Sequence, residues 1–244
     1  MGRRALFITG SSPRLKNQFR ESHVKAIRQF EAALTKKQLG LLSGLTSPCK
    51  IQQFLDSIPY SSEEIYRSPA RVLGDHTGHC FDGALFAAAA LRRLDYPPLI
   101  VYMIAVRDDD HLLAVYRRNG YWGAVAKSNC VGLRHREPIY RSLRELVMSY
   151  FEDYFNTESV KSLRGYTVPI DLSQYDHLNW MTSDEHLEII ADGLDKRRKF
   201  KLLTEDMIAH LAPVDKRSYD AGFLGSDWAG LYDPKKHDGG AGTA

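Results

Sequence analysis

The chain has 244 residues, 43% of them hydrophobic and 26% charged, a make-up that suits a globular protein with a sizeable core. Its 33 Lys and Arg against 30 Asp and Glu leave a formal charge of +3, which excludes a nucleic-acid reading argued from charge, because phosphate binding needs a basic patch. Three cysteines, Cys49, Cys80 and Cys130, match neither a disulfide framework nor a paired CxxC zinc pattern, so they are expected as reduced thiols.

Residues 1–20 are polar and basic and read as a loose lead-in without the apolar core of a secretory leader. No apolar stretch reaches the ~20 residues that span a bilayer, so a soluble, cytoplasmic protein with no membrane contact is expected. Over residues 21–39, Val24, Ile27, Phe30 and Leu34 follow helical spacing, and Gly40 supplies a stop. Residues 50–58 predict a second helix behind Ser47-Pro48, ended by Pro59, with a loop at 74–78. Residues 80–93 combine an alanine run, Asp82 in the first turn and two arginines in the last, and their apolar residues surround the helix axis. Such a helix belongs in the core.

Pro97 and Pro98 launch a β-branched, aromatic strand at 99–106, followed by the acidic turn 107–110. Residues 111–118 and 121–128 alternate around Asn119-Gly120, the dipeptide that suits a type I′ turn because both positions need positive φ. That turn pairs Arg117 with Trp122, Val115 with Ala124, Leu113 with Ala126 and His111 with Ser128. Ser142 and Glu145 read as a capping box opening a helix to about Phe155, and residues 166–172 as a closing strand. Helices follow at 183–193 and 204–211, flanking a basic run at 196–199 that reads as solvated surface.

The chemistry concentrates at Cys80. A thiol in the first turn of a buried helix faces unpaired backbone N–H groups and the positive end of the helix dipole, which favour thiolate and can also receive an oxyanion. The hairpin face carrying His111, Leu113 and Val115 is mostly small or apolar, and laid against the Cys80 helix it brings His111 to the thiol as a base. Ser128, by register, or Asn129, through a one-residue bulge, then orients the imidazole. The competing reading of His111 is a strand-start residue paired with a carboxylate of the acidic turn. His79 and Trp122 are candidates for lining the substrate approach. Adjacent His79 and Cys80 rarely point at one ion, so neither a metal nor an organic cofactor is expected.

A Cys opening a buried helix, then a strand, then a His leading a strand and a hairpin to Trp122-Gly123 resembles the transglutaminase-like branch of the papain-like cysteine enzymes. The resemblance covers roughly residues 50–130 and at its widest extends to 170. It implies an α+β fold with the Cys-bearing helix packed on an antiparallel sheet, in a core domain at 21–170; the more polar sequence beyond reads as a helical extension at 171–232 and the Gly-rich end as a disordered tail at 233–244. It also implies acyl transfer or hydrolysis of a peptide or small amide through a Cys80 thioester, with a catalytically degenerate interaction module as the alternative. Two departures stand out. Members of that branch carry an Asp soon after the strand Trp, whereas residues 122–129 hold none, and their His-Ala-Trp is here His111-Leu112-Leu113.

Overall fold

The computed structural model describes residues 13–233, with side chains from residue 20 onward. Five helices come first: α1 (Pro13–Ala32), α2 (Lys36–Gly44), α3 (Pro48–Ser57), α4 (Pro69–Asp75) and α5 (Cys80–Arg93). Then come strands β1 (Leu99–Ala105), β2 (His111–Arg118), β3 (Tyr121–Val125) and β4 (Arg136–Tyr140), and helix α6 (Leu143–Met148). The chain continues through β5 (Leu163–Thr167), β6 (Ile170–Asp171), α7 (Leu187–Asp195), β7 (Lys199–Lys201), α8 (Glu205–Ala209) and α9 (Lys216–Gly222). The class is α+β.

Seven strands form one antiparallel sheet in the order β4-β3-β2-β1-β5-β7, with β6 paired to β1 beside β5. Asn119 and Gly120 take φ of 54° and 92°, as a type I′ turn requires, and the register pairs Arg117 with Trp122 and Val115 with Ala124. Both edge strands carry charge: β4 reads Arg-Glu-Pro-Ile-Tyr and β7 Lys-Phe-Lys, a composition that discourages further pairing.

Helix α5 has the bounds the sequence predicts, and every residue from 81 to 92 is buried. It packs on Leu112, Ala114, Tyr116 and Val125, together with apolar residues of α1 to α4. The opposite face of the sheet, with Leu113, Val115, Ala124 and Ala126, packs instead on Leu146, Val147, Tyr150 and Tyr154. The face expected against the Cys80 helix is therefore turned away from it. Residues 111 to 116 of β2 are all buried, so both faces are apolar and alternation does not distinguish them.

Several boundaries also differ from expectation. Helix α1 already starts at Pro13, so residues 13–20 are helical, while the rest of the lead-in, 1–12, lies outside the described residues. Gly40 does not end a helix; the chain breaks before Thr35, whose hydroxyl caps α2, and Gly40 sits inside it. Helix α6 stops at Met148 and gives way to a 3-10 turn at Phe151–Asp153. Strands β5 and β6 divide the expected closing strand around Pro169, which lacks the N–H a continuous ladder needs.

The segment from 171 onward shares the core of what precedes it. Arg92 of α5, almost fully buried, binds Asp176 through two nitrogens at 2.6 and 2.7 Å, and Trp180, Leu187 and Ile190 pack into the α5 cluster. Residues 234–244, most of the expected tail, lie outside the described residues. Among the described residues, no helix is long and apolar enough to cross a membrane.

Candidate functional site

The elements carrying Cys80 and His111 converge at one end of the sheet, where both residues line one cavity. Strand β2 opens on His111 just after the turn 107–110, which carries the chain past the N-terminus of α5, so the Cys80 Sγ lies 3.9 Å from the Asp110 carbonyl. Cys80, His111, Ser128 and Asn129 all line a single cavity of about 40 Å³, together with Tyr60 and Asp108 to Asp110. That volume holds about three water molecules.

The orienting acceptor is neither residue the sequence offers. The His111 Nε2–H donates to the Leu133 carbonyl at 2.8 Å. A carbonyl can only accept, so Nε2 carries the proton and Nδ1 is the basic nitrogen of the neutral ring. Two carboxylates of the acidic turn are engaged elsewhere: Asp110 accepts from the Ala105 N–H at 2.6 Å and from the Tyr102 hydroxyl, and Asp108 from the Ser162 hydroxyl. Ser128 accepts from the Cys130 N–H at 3.0 Å. Asn129 is occupied by a distant segment, its amide donating to the Asp227 carbonyl at 2.7 Å and accepting from the Asp227 N–H at 2.9 Å.

Burial dominates the electrostatics. It pushes the Cys80 thiol up to about 12, assisted by the charges of Asp109 and Asp82 and opposed by hydrogen bonds from the Phe81 N–H and the Tyr60 hydroxyl. The helix terminus therefore acts in the expected direction and is outweighed. Burial also lowers His111 to about 4, against the raising effect of the Leu133 carbonyl. At neutral pH the resting pair is thiol and imidazole, both uncharged.

The chain matches no family model and no curated protein. The arrangement therefore stands on its own residues.

His79 and Trp122 do not line the cavity. The His79 Nε2 bonds to the Ile65 carbonyl at 2.9 Å, with the ring near Tyr66 and Phe81, and its N–H binds Asp82 at 3.2 Å. Trp122 sits on β3 between Arg117 and Tyr140, with the Arg117 guanidinium 5.6 Å from its ring centroid. Among the described residues, no group of three or more His, Cys, Asp or Glu side chains is arranged to hold a metal ion. Sequence reasoning missed Tyr60, brought to the site by a bridge between Tyr60 and Gly78, and the Leu133 carbonyl. Neither carries a sequence signal, since one depends on tertiary pairing and the other is backbone.

Proposed function

We propose that Cys80 and His111 are a nucleophile and general base for acyl transfer or hydrolysis at an amide or ester, in a core of the papain-like, transglutaminase-like kind. The observation that carries this reading is one cavity lined by both side chains, with the imidazole anchored through Nε2 and its Nδ1 left as the base. As the sulfur attacks the carbonyl carbon, its proton passes to His111 and the carbonyl π pair moves to oxygen. The Phe81 N–H and the Tyr60 hydroxyl, both of which favour the thiolate, are the donors assigned to the developing oxyanion. Collapse expels the amine or alkoxide, which takes the proton from His111 and leaves a Cys80 thioester. Water or an amine then attacks the thioester with His111 again as base, regenerating the thiol.

The substrate in this reading is a peptide or small amide. Free thiols at Cys49, Cys80 and Cys130 suit a reducing, cytoplasmic setting.

A second reading, a catalytically degenerate interaction module, is favoured by the contact of the Cys80 Sγ with the Asp110 carbonyl at 3.9 Å, in surroundings whose burial pushes the thiol up and the imidazole down. Acyl trapping separates the two readings. After incubation with p-nitrophenyl acetate, peptide mass spectrometry of an active pair finds acetyl on Cys80, forming about a hundredfold faster than in His111→Gln. Acetylation confined to the exposed Cys49, or equally slow at Cys80 in both proteins, favours the module.

A further inference from the structure

One side of the cavity over the half-buried Cys80 is built by the chain's own C-terminal part. Phe223, Gly230, Leu231 and Tyr232 supply one of its walls.

The attachment of that wall is slight and local. Asn129 grips the backbone of Asp227 on both sides, and the Ser226 hydroxyl donates to the Asn129 carbonyl at 2.7 Å. Gly230 passes flat against Tyr60, where a Cβ would stand 3.1 Å from the ring. Phe223 packs with Phe155 and Val214 in a small cluster separate from the two main cores. The outer side of the segment is in solvent, with Leu224 76% and Trp228 60% exposed. No strand pairing holds residues 223–232. The Thr157 hydroxyl adds one more bond, to the Tyr232 carbonyl at 3.5 Å, and the exposed outer side without strand pairing is the kind of segment that opens below global unfolding.

We propose that residues 223–232 form a strap that covers one side of the Cys80–His111 cavity, narrowing its mouth, and lifts to admit an acyl substrate. This rests on the thiol–imidazole reading above, and it adds a regulatory step to it. Asn129 then serves the site as the strap's anchor, a role that accounts for its place in the cavity wall.

The test is the rate at which iodoacetamide labels Cys80 in the full chain, with the exposed Cys49 as internal reference. Ser226→Ala removes one anchor, and Phe223→Ala removes the aromatic seat. The strap predicts Cys80 labelling about threefold or more faster in Ser226→Ala and about tenfold or more in Phe223→Ala, with Cys49 unchanged. A Cys80 to Cys49 ratio equal to wild type in the variants overturns the strap. If Phe223→Ala does not fold, Ser226→Ala decides alone.

The His111→Gln background separates this inference from the reading beneath it. Acceleration by Ser226→Ala that persists in His111→Gln supports the strap even where the base role fails. Dependence on His111 without any effect of Ser226→Ala overturns the strap and leaves the pair standing.

Discussion

The His111 Nε2–H donates to the carbonyl of Leu133 at 2.8 Å, so a backbone group holds this imidazole at the position where a triad would use a third side chain. Ser128, although it lines the same cavity, bonds only within its own turn, to the Cys130 N–H at 3.0 Å. Ser128→Ala is therefore expected to leave the rate of Cys80 alkylation within about twofold of wild type. A loss as large as that of His111→Gln would return the orienting role to Ser128.

The buried neutral ring also makes stability depend on pH. His111 is lowered from 6.5 to about 4, so between those values the unfolded chain binds a proton that the folded chain refuses. Its contribution is complete above 6.5 and disappears as pH falls through 4, a loss of about 3 kcal/mol. Asp108 slopes the other way: raised from 3.8 to about 7 by burial, it favours the folded state below 3.8, and that contribution is lost as pH rises through 7. The difference between wild type and His111→Gln isolates the imidazole. In urea titrations the variant should gain on wild type as pH falls from 6.5 to 4.5, whereas a constant difference would place His111 in water.

Gly83 lies on α5 where the helix runs against Lys127. A Cβ at Gly83 would stand 2.1 Å from the Lys127 Cβ, and Lys127 is fixed by its Nζ donating to the Leu55 and Ile58 carbonyls at 2.8 and 2.5 Å. Alanine favours the helix by about 1 kcal/mol over glycine, but the collision displaces a buried side chain that closes the C-terminal end of α3. Gly83→Ala should lower unfolding stability by about 1–3 kcal/mol in chemical denaturation. A stabilised variant would mean that α5 has room to shift.

Asp176 ties the late part of the chain to α5. It meets the buried Arg92 through both oxygens and also accepts from the Trp180 indole at 3.1 Å. Removing its charge leaves the guanidinium uncompensated, so Asp176→Ala should cost about 3 kcal/mol or more. It should do so in a single cooperative transition, because this segment and α5 share one core. A separate early transition would instead make residues 171–232 an independent unit.

Helix α5 and the Asn119-Gly120 hairpin were legible because each has a local cause: an alanine run with matched end charges, and a turn that needs positive φ. The sheet face presented to α5 was not legible, because residues 111 to 116 are buried on both sides and alternation then carries no direction. Strand β4 is a charged edge strand with a proline, so it lacks the β-branched run that announces a central strand. At the site, Cys80 and His111 could be picked out by residue type and position, and Asn129 by type alone. The use made of Asn129 depends on Asp227, 98 positions away. The Leu133 acceptor is a carbonyl, which every residue has.

The claim at the centre is that His111 takes the Cys80 proton. Its most direct test is the pH dependence of Cys80 alkylation in wild type and in His111→Gln, which keeps a side-chain donor for the Leu133 carbonyl but no base. A working pair predicts wild-type labelling at pH 7 about tenfold or more faster than the variant, with Cys49 the same in both. Identical Cys80 profiles across the whole range would contradict it.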